Sequence, residues 1–219
     1  MNRREFSTRL IAAGAGTLAA TLVAAPAWSQ GAPAEGTQFA RVDPPVPTQA
    51  QGKVEVLEFF SYACPHCNAF EPILAPWVKS LPADVVFRRV PVPFLMNAEL
   101  LQRTYYALET LGLVDTMQRK VFAAIHVERA RLDSPNEVAA LVAKNGGDSA
   151  KFLEAMKSFG VANSVSRAKK LTADYKIDGV PSLAVQGRYV TSPSQAGGPT
   201  QALQVADFLI QRARSGAKS

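Results

Sequence analysis

The apolar positions of this chain change rhythm three times. Residues 53–63, KVEVLEFFSYA, form an almost unbroken apolar, β-rich run, the pattern of a central strand buried on both faces. It passes directly into a helical pattern from about Cys64 to Lys79. Pro65 suits the first turn of that helix, where a missing N–H costs nothing. Pro72 and Pro76 lie deeper, so a kink or break is expected there. ADVVFRRVPV, residues 83–92, then supplies a second strand and completes a β-α-β unit with the switch from strand to helix at Cys64. Upstream, TQFARVDPPVP offers one short edge strand before its double proline.

From about Asn97 to Tyr175 the period is helical and no convincing strand interrupts it. Asn97 is placed to cap a helix carrying Leu100, Leu101, Tyr105, Leu108 and Leu111, which Gly112 ends. A second run holds Val114, Met117, Val121, Phe122 and Ile125. Ser134-Pro135-Asn136-Glu137 is a capping box ahead of Val138, Leu141 and Val142. Asp148 can begin a helix with Phe152 and Met156, and Asn163 a last one with Val165, Ala168 and Tyr175. Such stripes are the core faces of helices rather than a cofactor box. The strand rhythm then returns in GVPSLAVQGRYV, two β runs flanking a Gln186-Gly187 turn. TSPSQAGGP is a loop, and TQALQVADFLIQRARSG a closing amphipathic helix.

The first 29 residues have a different character. MNRREFSTRL is a basic opening, IAAGAGTLAATLVAA is too short and too rich in Gly and Ala for a membrane span, and the small residues of APAWSQ follow. This is an export signal, with cleavage expected after Ala27 or Ser29. Arg3 and Arg4 followed by Phe6 resemble a twin-arginine signal; an ordinary secretory signal that happens to begin with two arginines is the alternative. Either one carries the mature chain out of the cytoplasm. No cysteine lies near the cleavage site to take a lipid anchor.

Composition narrows the function classes. With 219 residues, 47% hydrophobic and 19% charged, the chain can build one domain with a real core. The net charge of +6 is modest, its Lys and Arg are scattered, and no basic run suggests a nucleic-acid surface.

Export gives the two cysteines, Cys64 and Cys67, their meaning. In an oxidising compartment they tend to be disulfide-bonded at rest. As a structural staple the pair is nearly useless, because so small a loop removes little entropy from the unfolded chain. As a metal site it lacks ligands: zinc wants four, and His126 brings no second Cys or His pair at ligand spacing. A working dithiol fits better. At a helix start Cys64 meets unpaired backbone N–H groups and the positive end of the helix dipole, which favour the thiolate. Cys67, one turn on, points inward, and His66 can add an N–H or a positive charge near the Cys64 sulfur, or be an exposed bystander. Glu58 is the remaining oddity: a carboxyl within an apolar strand is expensive unless paired or neutral. It is either an exposed strand residue like Glu55 or a buried functional acid.

VLEFFSYACPHC, followed much later by GVPSLAV, resembles the DsbA family of bacterial periplasmic thiol oxidases. The likeness spans roughly Gln38 to Arg212 in motif content and element order. It implies an α/β architecture, a thioredoxin fold with an inserted all-helical domain. The division expected is signal peptide 1–29, first part of the thioredoxin-like domain 30–96 (tail 30–37), helical insertion 97–175 and second part 176–219. It also implies the chemistry. Cys64 accepts electrons from a substrate's thiols through a mixed disulfide, Cys67 ends the cycle reduced, and Pro65 and His66 tune the pair. Glu58 would relay the proton of Cys67. A cis bond before Pro181 would leave the Val180 backbone free for an extended substrate, beside an apolar groove. The partners implied are unfolded or reduced exported proteins and a DsbB-like membrane quinone reductase, with the protein a periplasmic monomer. No cofactor beyond the Cys64–Cys67 disulfide and no metal is expected. Many family members carry a second, structural disulfide, for which this chain has no cysteines left. The competing readings are a disulfide isomerase or reductant, and an exported binding module with incidental cysteines.

Overall fold

The computed structural model describes residues 31–216; the export signal expected over 1–29 lies outside the described residues. A mixed sheet of five strands forms the frame: β1 (Ala40–Arg41), β2 (Val54–Phe60), β3 (Val85–Pro91), β4 (Ser182–Val185) and β5 (Tyr189–Thr191). In space the order is β1-β5-β4-β2-β3, so β2 is central. It pairs parallel with β3 and antiparallel with β4, as a strand-helix-strand unit and a later hairpin require. All seven residues of β2 are buried, and its apolar side chains divide between two cores. Val54 and Val56 pack with Val205 and Leu209 of the last helix. Leu57 and Phe59 face the helical segment, where the Phe59 and Tyr175 rings lie 5.3 Å apart.

The helices are α1 (Pro65–Ser80), α2 (Ala98–Thr110), α3 (Val114–His126), α4 (Pro135–Lys144), α5 (Ser149–Lys157), α6 (Phe159–Asp174), α7 (Pro193–Ala196) and α8 (Pro199–Gly216). Helices α2 to α6 all fall between β3 and β4 in the chain, and α1 and α8 pack against each other. Ser134 caps α4 as expected, its hydroxyl accepting the Glu137 N–H; the returning bond differs, since the Glu137 carboxylate takes the Ser134 hydroxyl and the N–H of Asp133, one residue before the cap.

Several local expectations are corrected. Helix α1 runs unbroken through Pro72 and Pro76. Both prolines are exposed, on the side of the helix turned away from the core. Asn97 occupies the N-cap position of α2 but in the left-handed region (φ 54°), and its side chain donates to Asp133 at 2.8 Å instead of capping. Helix α6 begins at Phe159, four residues before Asn163, because the Ser158 hydroxyl caps it by accepting the Val161 N–H. A short helix, α7, forms within the segment read as loop. Glu55, read as exposed, is 2% exposed, its carboxylate bound by Arg88 at 2.6 Å and by the Gln49 N–H at 3.1 Å.

The β4–β5 turn does use Gln186 and Gly187, at φ 52° and 68°. The segment after β1 lies against it, with the N–H of Val46 donating to the Gly187 carbonyl at 2.8 Å. A Cβ at position 187 would overlap the Val46 carbonyl, so glycine is required by both φ and space.

Candidate active site

Cys64 is the N-cap of α1, in extended conformation (φ −88°, ψ 116°), and its sulfur takes the place a serine or aspartate oxygen usually holds. The backbone N–H of Cys67 donates to Cys64 Sγ at 3.4 Å. Pro65 follows at the first helical position, with no N–H to compete. The sulfur thus lies at the positive end of a sixteen-residue helix. Its pKa falls from 9.0 to about 6, through hydrogen bonding from the Cys67 thiol first, then the backbone N–H groups of Cys67 and His66, with the His66 charge last and burial opposing. Cys67 is 1% exposed, and burial above all pushes its thiol well above the usual range. The sequence expectation of unlike sulfurs therefore has a geometric basis, though the neighbouring thiol outranks His66. Both cysteines are free thiols in this structure.

Beneath Cys67 lies a buried ionic cluster. Glu58, 1% exposed, accepts from Arg89 Nε at 2.8 Å, and the same guanidinium reaches the Glu71 carboxylate of α1 at 3.0 Å. The sheet register sets this up by placing Glu58 opposite Arg89. Burial raises the Glu58 pKa to about 7 despite the arginine, and the Glu58 charge in turn helps raise Cys67. The bland expectation, an exposed Glu58, does not hold. Arg89 and Glu71 escaped the sequence reading. The usable signal was a pair of arginines in VVFRRVPV beside a strand with two glutamates.

Helix α3 steadies the turn that leads into Cys64. The Tyr62 hydroxyl donates to Gln118 Oε1 at 2.6 Å, and its carbonyl accepts from His126 Nε2 at 2.8 Å. Because a carbonyl only accepts, that ring nitrogen carries a proton. His126, weighed above only as a metal ligand, holds backbone. Edge-to-face contacts of Phe60, Tyr62, Tyr105 and Phe122 fill the space below. Among the described residues no group of three His, Cys, Asp or Glu side chains could hold a metal ion.

Opposite the cysteines, the Val180–Pro181 peptide bond is cis, and the Cys64 thiol donates to the Val180 carbonyl at 3.4 Å. A groove of about 450 Å³ opens beside it, walled by the exposed His66, Phe70, Val180, Pro181 and the start of α8 at Pro199. The structure thus brings Cys64, Pro65, His66, Val180 and Pro181 together and leaves Cys67 and Glu58 buried below.

A β-α-β unit with Cys-x-x-Cys capping its helix, faced by a cis-proline loop, defines a dithiol protein of thioredoxin type. The comparisons narrow that class. The model of the DSBA-like thioredoxin domain matches residues 55–197. The chain is 46% identical over 209 residues to a thiol:disulfide interchange protein DsbA of Bordetella parapertussis, covering 94% of this chain and 97% of that one. It is 40% identical over 183 residues to the DsbA of Pseudomonas aeruginosa, covering 84% and 87%. The crystal structure of Pseudomonas aeruginosa DsbA superposes with a TM-score of 0.82 at 40% identity, over 85% of this chain and 97% of that one. This chain belongs to the DsbA family, and its fold is the thioredoxin fold with an inserted helical domain.

Proposed function

We propose that this protein, a thiol:disulfide oxidoreductase, works as an oxidase of exported proteins in the periplasm. A substrate thiolate attacks Cys64 Sγ of the Cys64–Cys67 disulfide, that bond breaks, and Cys67 leaves as a thiolate and takes up a proton. A second substrate thiolate then attacks the substrate sulfur of the mixed disulfide, and Cys64 leaves. The substrate has lost two electrons and two protons. The enzyme keeps both electrons and the Cys67 proton, and above the Cys64 pKa the other proton passes to solvent. A DsbB-like membrane quinone reductase takes the electrons and restores the disulfide. Glu58 supplies and recovers the Cys67 proton, a role supported by its pKa near neutrality and by its charge acting on Cys67.

The observation that carries the reading is the Cys64 sulfur serving as the cap of α1. A cap stabilises the thiolate of the reduced form and cannot do the same for the disulfide, so it drives the pair toward reduction and the substrate toward oxidation. The expected export leader places this chemistry outside the cytoplasm. The test is the equilibrium with glutathione, together with oxidation of a reduced, unfolded disulfide protein. A pair more oxidising than glutathione supports the oxidase; one more reducing makes the protein a reductant.

A further inference from the structure

The groove beside Pro181 is one apolar surface at the site. A second cleft, sharing no residue with it, opens on the helical side of Cys64. It measures about 360 Å³ and reaches Ala63, the residue directly before the cysteine. Leu101 of α2 and Leu132 are buried in its wall beside the half-buried Ile125 of α3. Met96 stands 77% exposed at the rim, an apolar side chain with large area open to water.

The charges around this cleft are unbalanced. Asp133 is engaged by Arg131 at 3.1 Å and by Asn97 at 2.8 Å. Glu128, next in sequence to Arg129, is paired with Lys144 at 3.4 Å. Arg129 lines the cleft, is exposed, and has no ion-pair partner among the described residues. Apolar walls, a solvent-facing methionine and one unneutralised cation together fit an apolar side chain with an acidic neighbour.

We infer that this cleft is a second substrate subsite, which takes an apolar side chain of the substrate polypeptide two or three residues from the cysteine being oxidised and sets an adjacent carboxylate against Arg129. The inference rests on the oxidase reading and adds a specificity to it. An extended chain advances about 3.3 Å per residue, so a substrate joined to Cys64 covers the neighbouring Ala63 and enters the cleft within that span. The cleft reaches the residue directly before the reacting cysteine, and its charge selects against basic flanks.

The experiment uses the oxidised full chain and synthetic single-cysteine peptides carrying Leu-Asp, Leu-Lys or Ala-Asp, placed before the cysteine in one set and after it in another. The rate of mixed-disulfide formation is read by acid quench and mass spectrometry. Each rate is divided by the same peptide's rate with glutathione disulfide, which removes differences in thiol acidity. Leu-Asp should exceed Leu-Lys by about threefold or more, the scale of one exposed ion pair. Arg129→Glu should reverse that order, and Arg129→Ala should abolish it should the charge reversal not fold. Met96→Ser should narrow the gap between Leu-Asp and Ala-Asp. Equal rates in both sets, or a charge preference that survives both Arg129 variants, overturns the subsite and leaves the oxidase reading standing. Failure to react with any peptide that glutathione disulfide oxidises overturns the oxidase reading, and the subsite with it.

Discussion

The Cys64 sulfur and the Val180 carbonyl oxygen lie 3.4 Å apart, although 116 positions separate them in the chain. The helix start capped by Cys64 and the cis-proline loop thereby meet at one place. In the reduced protein the thiol spends its hydrogen on that carbonyl. Ionising Cys64 removes the donor, so the contact is specific to the protonated thiol.

The two thiols should titrate and react apart. Just above pH 6 an alkylating reagent should label Cys64 and spare Cys67, as read by peptide mapping. The potential should fall by about 59 mV per pH unit while two protons accompany two electrons, and by about 30 mV once Cys64 stays ionised, with the break near pH 6. Stability should follow the same group. Its folded pKa is depressed from 9.0 to about 6, so it stabilises the reduced protein fully above pH 9 and loses that effect as pH falls to 6. Melting curves of reduced and oxidised protein should therefore diverge as pH rises. A single slope across that range would remove the distinction between the sulfurs.

His66 acts through two groups, its ring and its backbone N–H, and both favour the thiolate. His66→Ala removes only the ring and should change the Cys64 pKa little. His66→Pro also removes the N–H and should weaken the oxidant more. Each pKa unit lost corresponds to about 1.4 kcal/mol and, passed wholly into the couple, about 30 mV. Thiolate absorbance against pH and the glutathione equilibrium measure both. Equal effects from the two substitutions would assign the whole contribution to the ring.

Glu58→Gln should slow turnover at the steps that move the Cys67 proton, and should alter the pH–rate profile around neutrality more than the Cys64 titration. It should also change the stability profile. The Glu58 pKa is raised from 4.5 to about 7, so the fold favours the neutral acid, an advantage complete below pH 4.5 and lost as pH rises through 7. Glutamine cannot ionise, so the variant should lose less stability over that interval. Denaturant titrations at several pH values check this; unaltered kinetics would return Glu58 to a structural partner of Arg89.

Gly187→Ala should destabilise the protein by roughly 2–4 kcal/mol, because the new Cβ meets the Val46 carbonyl and φ is 68°. Urea denaturation gives the value. The redox equilibrium should stay unchanged, since the hairpin turn lies at the opposite end of β4 from Pro181.

Local pattern was enough to read most of what repeats within a few residues. The buried run of β2, the switch to helix at Cys64, the helical period from α2 to α6 and the Gln186-Gly187 turn each depend on neighbours close in the chain. So do the N-cap position of Cys64 and the capping box at Ser134. Local pattern therefore placed the dithiol and its helix, while the cis bond before Pro181 and its place opposite the cysteines came from the family resemblance. Tertiary structure decided which charges are buried and what they meet. Glu55 and Glu58 look alike in VEVLEFF, yet one is closed off by Arg88 and Gln49 and the other by Arg89. A carboxylate enters a core only where a cation is delivered to it, and delivery depends on strand register and on α1 crossing above. The grip of His126 on the Tyr62 carbonyl and the cleft beside Ala63 arise in the same way. Residues far apart in the chain meet only when the sheet and the helical segment close on each other, and no short window contains that information.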